Sequence, residues 1–393
     1  MNSLTSYLTH LECSKCSQKH DPREAQTVCT KCKGVLLARY DLDKVARAFS
    51  KKDLTSRVRS MWRYKELLPV EDEKNITTLG EGFTPILHLK KLGPKLGIRN
   101  LFLKDDGQIP TGSFKARGMA SAISKCKELG LRKVAVPTAG NAGAAMSAYA
   151  AQAGIESYVY MPRETPQTIK LECEVYGAHV TMVDGTIADA GRVVGEGTAR
   201  KEWFEMSTMK EPYRAEGKKT MGFEIAEQFT WKTPDVILYP TGGGTGIIGM
   251  SKAFDELESL GWIRGTRPRF VSVQAAGCAP IAKAIQEHKE NCEFWENAET
   301  SAAGLRVPKP YADYLIIKAV NQSKGTSAIV PEEEMLSSIK VLARTEGIWA
   351  CPEGAATVAA LRHLLEQEAI DPDETVLLYN TGLGILYPDT VAR

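Results

Sequence analysis

Four cysteines near the N-terminus form two C-x-x-C pairs, Cys13-Ser-Lys-Cys16 and Cys29-Thr-Lys-Cys32, separated by twelve residues. Two tight knuckles at that spacing can gather four thiolates around one tetrahedral ion. A closed four-thiolate set leaves no coordination position for water or substrate, so the site reads as structural zinc, with iron left open on ligand type alone. The block is too short to bury a core of its own, so the metal would provide its folding free energy. A nucleic-acid-binding ribbon is the alternative. Against it, Glu12, Asp21, Glu24 and Asp41 offset Lys15, Lys19, Arg23, Lys31 and Lys33, which leaves no basic face.

Other residues offer different chemistry. Lys115 stands just after a Gly-Ser turn and before an Ala- and Ser-rich stretch, where it can be held rigidly and partly desolvated, as imine formation requires. Read alone, it could equally be a solvated surface lysine. Thr138-Ala-Gly-Asn141-Ala-Gly143 lies between an apolar run and a helical pattern, so it can present the free amides of a helix N-terminus to a carboxylate. Thr241-Gly242-Gly243-Gly244-Thr245-Gly246 is placed in the same way, and its amides can form a nest for a phosphate dianion. The loop also contains a formal G-x-G-x-x-G (Gly244, Gly246, Gly249), but the next apolar run ends in Gln274 with no acid for a ribose, and no Gly-Lys-Ser/Thr follows. Arg214 and Lys219 offer a planar fork and a point charge for phosphate oxygens.

Pro110-Thr-Gly-Ser-Phe-Lys115-Ala-Arg-Gly118 resembles the cofactor-lysine motif of the fold-type II pyridoxal-phosphate enzymes, and especially of threonine synthases and threonine dehydratases. Gly80-Glu-Gly-Phe-Thr-Pro85, the Asn141 loop, the Gly242–Gly246 loop and Asn380-Thr381-Gly-Leu-Gly384 resemble further motifs of that family in the same order, so the likeness covers nearly the whole chain. It implies that Lys115 is catalytic and holds the cofactor together with Phe114, Asn141, Gly242, Gly243, Gly244, Thr245, Gly246 and Thr381. Thr381 would place a neutral hydroxyl against the pyridine nitrogen. The substrate would meet Lys104, Ser113, Thr138, Gly140, Asn141, Arg214 and Lys219.

The ribbon, the Trp62–Pro69 segment and Pro212-Tyr-Arg214-Ala-Glu-Gly-Lys-Lys219-Thr220 resemble threonine synthases in particular. The implied reaction takes O-phosphohomoserine and water to threonine and phosphate, by γ-elimination and then β-addition with Lys115 moving the protons. Departures surround the site: Phe83, Ile109 and Ala116 stand where threonine synthases commonly have Asn, Asn and Asp, and Glu211 stands near where they commonly have Asn. Lys-Ala-Arg-Gly is the form common in dehydratases. A threonine or serine ammonia-lyase and a cysteate synthase-like paralogue are therefore the enzyme alternatives, and a cofactor-binding regulator or zinc-ribbon adaptor the non-enzymatic one.

The elements that must position these residues show as short apolar runs alternating with helical patterns: LFLK at 101, VAVPT at 134, YVYM at 158, VTMV at 180, VILYP at 236, FVSVQ at 270 and VLLYN at 376. Such alternation predicts parallel βαβ units and an α/β protein. The resemblance makes it a two-domain fold-type II enzyme, similar to the tryptophan synthase β chain, with an N-terminal ribbon at 1–40. The large cofactor-binding domain is expected at 41–120 and 225–393, and a smaller mobile α/β domain at 121–224. Asp41 to Glu66 reads as a charged helix that Trp62 and Tyr64 could dock. The 393 residues carry 43% apolar side chains and a formal charge of +2, which suits sizeable cores and offers no field for nucleic acid or anionic membrane. No leader-like or membrane-length apolar run is present, so the expectation is a cytoplasmic enzyme with a small-molecule substrate, acting as a homodimer.

Overall fold

The computed structural model describes residues 5–265 and 267–391. The chain divides into two compact units, Met1–Phe83 with Lys115–Thr220, and Thr84–Phe114 with Met221–Arg393.

The first unit opens with a three-stranded antiparallel sheet, in which Leu8–Cys13 lies between Lys19–His20 and Leu36–Tyr40. Its second sheet has four strands, in the order His179–Val183, Glu156–Pro162, Lys133–Pro137 and Phe204–Glu205, all paired in parallel. Helices Lys115–Glu128, Asn141–Ala153, Gln167–Val175 and Ile187–Ala199 belong to the same unit. The charged stretch after Asp41 corrects the expectation of one long helix. Helix ends at Ala48, and a single turn at Asp53–Ser56 and two short turns kinked at Tyr64 within Met61–Leu67 follow. The Asp53 carboxylate accepts both the amide and the hydroxyl of Ser50, at 2.7 and 2.8 Å, giving the backbone a local alternative to helix. Trp62 and Tyr64 are nonetheless buried.

Residues 41–83, expected in the larger domain, make hydrogen bonds to a helix of this unit. Glu128 accepts the amides of Glu71 and Asp72, both at 2.9 Å, and Ser124 accepts that of Thr77 at 2.8 Å. The tie to the asparagine-loop helix is Glu81, which is fully buried. Its carboxylate accepts Trp62 Nε1 at 2.7 Å, the Leu79 amide at 2.8 Å, Thr78 Oγ1 at 3.1 Å and Tyr149 OH at 2.7 Å. A buried carboxylate is tolerable only when its lone pairs are met in this way.

The second unit is built on one six-stranded sheet, in the order Thr326–Val330, Arg269–Ala275, Val236–Pro240, Val376–Asn380, Leu101–Asp105 and Ile86–His88. The first five strands are parallel, and the last is an antiparallel edge. Val236–Pro240 and Val376–Asn380 are buried along their whole length, as central parallel strands covered on both faces must be. Their core side chains pack with Leu101, Leu103, Val271, Val273, Leu361 and Leu364. All seven apolar runs expected from sequence are strands. The structure adds Ile86–His88, Phe204–Glu205 and Thr326–Val330, of which the first two have three and two residues, too few for a periodic signal. Among the described residues no helix is long and apolar enough to cross a membrane.

Tyr149→Phe deletes one of the four bonds to the Glu81 carboxylate and nothing else. A hydrogen bond to a buried charged acceptor contributes about 1.5 to 3 kcal/mol, so urea unfolding of this variant should show stability lowered by that amount. No change would mean that the carboxylate is not held as described.

Candidate active site

In the second unit, a sharp turn delivers the backbone that leads into Lys115. Thr111 and Gly112 both adopt φ of 61°, in the left-handed region, a conformation that costs a non-glycine residue on the order of 1–2 kcal/mol. The turn sends Ser113 and Phe114 into a short antiparallel pairing with residues 381–383. The Phe114 amide donates to the Thr381 carbonyl at 2.9 Å, and the Leu383 amide to the Gly112 carbonyl at 2.8 Å. Ser113, Phe114 and Thr381, expected from sequence to share a site, are thus brought together. The Phe114 ring meets Tyr239 edge-on, with centroids 6.2 Å apart, on the strand that runs into the glycine loop. Thr381 Oγ1 lies 3.5 Å from the Sγ of Cys351, a buried residue whose thiol burial pushes well above its ordinary range. Cys351 is therefore a neutral thiol beside a neutral hydroxyl.

The glycine loop is explained by close approach. A Cβ on Gly242 would stand 2.0 Å from the Gly304 carbonyl oxygen, and one on Gly246 would stand 2.1 Å from the Tyr239 ring. Gly244 has φ of 73° and caps the helix Thr245–Ser259 without any side-chain bond. The first amides of that helix therefore lack a side-chain acceptor, at the positive end of its dipole. Gly242 to Gly246 fit the phosphate of pyridoxal phosphate on this ground. Ser113 fits the same picture: its side chain is fully buried, and its Oγ has no hydrogen-bond partner among the described residues.

In the first unit, Lys115 is the first residue of its helix and is half-buried. Thr138 and Gly140 close the turn before the helix Asn141–Ala153. The Thr138 hydroxyl donates to the Gly140 carbonyl at 2.9 Å and accepts the Gly140 amide at 3.0 Å, so it shapes the loop. Asn141 is buried at the first helical position, and Gly140 caps the helix with no side-chain bond.

Arg214 lies in the first turn of the helix Tyr213–Gln228 and is only 2% exposed. Among the described residues its guanidinium makes one bond, from NH1 to the Met206 carbonyl at 2.5 Å, which leaves the rest of its fork of donors unused. Desolvation pulls its pKa down to about 10, partly countered by Glu211. This is a buried cation equipped for an anion.

Two residues expected to meet the substrate have partners inside the protein. Lys219 is fully buried and bound internally, 2.7 Å from Glu216 Oε2 and 4.0 Å from the centre of the Tyr40 ring. Lys104 is also fully buried, and its three donors go to the Thr84 carbonyl, Glu224 Oε2 and Gln228 Oε1, each at 2.8 Å. Both ammoniums hold the fold together. Sequence reasoning also missed Cys351, Ser207 and Glu81, and it marks Glu211 only as a departure. The Glu216-x-x-Lys219 spacing, an i,i+3 pair, was a signal for the internal bridge.

The four cysteines converge as expected: Sγ atoms are 3.4 Å apart for Cys13–Cys32 and Cys16–Cys32, 3.6 Å for Cys16–Cys29, and all lie within 4.8 Å of one another. Tetrahedral zinc–thiolate bonds of about 2.3 Å give sulfur–sulfur edges of about 3.8 Å, so the donor set and its size fit such an ion.

A family model described as pyridoxal-phosphate dependent enzyme matches residues 77–382, and the chain belongs to that family. It is 38% identical over 383 residues to the threonine synthase of Methanosarcina acetivorans, covering 97% of this chain and 93% of that one. With the threonine synthase of Methanocaldococcus jannaschii it shares 35% over 382 residues, covering 97% and 94%. Likeness of this extent makes the chain a pyridoxal-phosphate-dependent lyase of the threonine synthase family. A solved structure of maize serine racemase matches with a TM-score of 0.67 at 21% identity, covering 79% of this chain and 92% of that one, which shows the shared fold.

Ser113→Ala separates a structural hydroxyl from a ligand-binding one. Because Oγ has no protein partner, the variant should unfold at the same or a slightly higher denaturant concentration, with stability changed by no more than about 1 kcal/mol. kcat/KM should fall in the same preparation. A clear loss of stability would show that the hydroxyl serves the fold.

Proposed function

We propose that the chain converts O-phospho-L-homoserine and water into L-threonine and inorganic phosphate, by γ-elimination followed by β-addition of water. The observation that carries the reading is the buried Arg214 guanidinium with its unused donors, in a chain whose relatives are threonine synthases. An ammonia-lyase acting on threonine or serine has no need of a buried cation for an uncharged side chain.

Each residue then has a task. Pyridoxal phosphate, when bound, supplies an electron sink for the charge that develops on the substrate carbon skeleton. Gly242, Gly243, Gly244, Thr245 and Gly246 would hold the cofactor's phosphate, and Thr381 would offer it a neutral hydroxyl. Phe114 and Asn141 would each contribute to holding the cofactor, and Lys115 would bind it through its amine. Once released, Lys115 moves protons at the substrate's Cα, Cβ and Cγ as general base and acid. The amides at the start of the Asn141 helix receive the substrate carboxylate, with Thr138 and Gly140 setting the loop. Ser113 turns its hydroxyl to the substrate, and Arg214 binds the phosphate that leaves. Cys13, Cys16, Cys29 and Cys32 hold a structural zinc ion. The same reading makes the chain a cytoplasmic homodimer with a small-molecule substrate and no nucleic-acid or membrane partner.

Arg214→Ala tests the function. Losing charge-assisted contacts of about 1.5 to 3 kcal/mol should lower kcat/KM for O-phosphohomoserine roughly ten- to a hundred-fold while the cofactor's absorbance is retained. Arg214→Lys keeps the charge without the fork and should recover part of the activity. An ammonia-lyase would leave O-phosphohomoserine unconsumed and release 2-oxo acid from threonine or serine equally in all forms.

Cys29→Ser tests the ribbon. It should release about one equivalent of zinc, read by metal analysis, and lower the stability of the N-terminal block while turnover persists. Absence of metal from the native protein would overturn the assignment.

A further inference from the structure

Helix Tyr213–Gln228 already has an anion at its N-terminus, and it belongs to the chain itself. Glu211 is 1% exposed, and its carboxylate accepts the Tyr213 amide at 3.1 Å and the Arg214 amide at 2.7 Å. These first-turn amides sit at the positive end of a 16-residue helix, where a phosphate would otherwise be welcome.

Two buried polar groups surround the same turn without using up their hydrogen-bonding capacity. The Arg214 guanidinium reaches back to the carbonyl of Met206 and makes no other side-chain bond among the described residues. The next residue, Ser207, is 8% exposed and its Oγ has no partner there, while its carbonyl accepts the Glu211 amide at 3.1 Å. A hydroxyl left unmet this deep is costly unless a ligand completes it, and the Arg214 fork beside it keeps donors that an anion could use. At this turn the Glu211 carboxylate holds the helix amides, and the Arg214 fork and the Ser207 hydroxyl keep donors that it does not use.

We propose that Glu211 is a specificity-determining residue that admits the substrate's phosphate to this turn only as it takes up a proton from solvent. The proposal rests on the reading that the substrate is phosphorylated and held by Arg214. A dianion cannot share the turn with a buried carboxylate at low cost, because like charges so placed disfavour one another strongly. Protonated, Glu211 becomes neutral and can donate to a phosphate oxygen. Burial pushes its pKa up to about 7, opposed by the two amides and by Arg214, and supported by Glu216 on the same helix. Tyr213 and, on helix Lys115–Glu128, Cys126 also face it; both are neutral, their own ionisation pushed well above the ordinary range by burial. The sign follows: affinity for the phosphorylated substrate is greatest below that pKa and is lost as pH rises through it.

The experiment compares the holoenzyme with Glu211→Gln across pH 6 to 9. For the unaltered enzyme, KM for O-phosphohomoserine should rise, relative to the variant, by up to roughly tenfold per pH unit above about 7, with kcat little changed. The substrate phosphate titrates identically in both assays and cancels in the ratio. Parallel KM profiles would overturn the role of Glu211 while leaving a phosphorylated substrate intact. Failure to consume O-phosphohomoserine at any pH would overturn both. Should Glu211→Gln fold poorly, sulfate inhibition of the unaltered enzyme gives the same answer, since sulfate is a dianion that does not titrate in this range. Its inhibition constant should weaken with rising pH if Glu211 gates the turn, and a flat profile would refute that.

Discussion

The backbone bond from the Phe114 amide to the Thr381 carbonyl, 2.9 Å long, ties the left-handed turn at Thr111 and Gly112 to the end of a buried central strand. Residues 109–114 have no regular helix or long strand to hold them, and two consecutive left-handed residues, Thr111 and Gly112, must be kept in place. A pairing with residues 381–383, at the end of a fully buried central strand, supplies that restraint. In the proposed reaction, a lysine that follows an anchored turn gains from it, because small errors of position are expensive in rate.

Buried charge is managed in two contrasting ways. Lys104 with Glu224, and Lys219 with Glu216, are fully buried ion pairs whose donors go to the protein itself. Breaking one partner of such a pair leaves an uncompensated charge and typically costs 3–5 kcal/mol, so these lysines act on stability. Arg214 is as deeply buried, yet it is bound to one carbonyl and to no carboxylate within ion-pair distance among the described residues. Its lowered pKa records the cost of holding a cation away from water. Arg214 differs from the two paired lysines in keeping donors that the protein does not use.

The same contrast explains what the sequence could disclose. The apolar runs, the C-x-x-C spacing and the glycine loop are local signals, and the structure confirms each as a strand, a converged thiolate cluster or a helix-capping turn. The partners of Lys104 are not local. Glu224 and Gln228 lie 120 and 124 residues away, and nothing at position 104 announces a buried ion pair in the middle of a strand. Ser207 and Glu211 were equally silent as chemistry, because an unmet hydroxyl or a carboxylate capping a helix is defined by what surrounds it. Glu211 shows only as an acid near where relatives of this kind commonly carry an amide.

That single exchange carries more than its size suggests. An asparagine at the start of Tyr213–Gln228 would offer the turn a neutral acceptor and two donors, compatible with a phosphate at any pH. A glutamate offers only acceptors when ionised, and it satisfies the helix amides by itself, at 2.7 and 3.1 Å, so the turn stays complete without substrate. The first turn of the helix is then held in order, which lowers the entropic cost of binding, at the expense of an electrostatic conflict that one proton removes. Preorganisation and charge discrimination come from the same carboxylate, so a neutral substitute cannot preserve both.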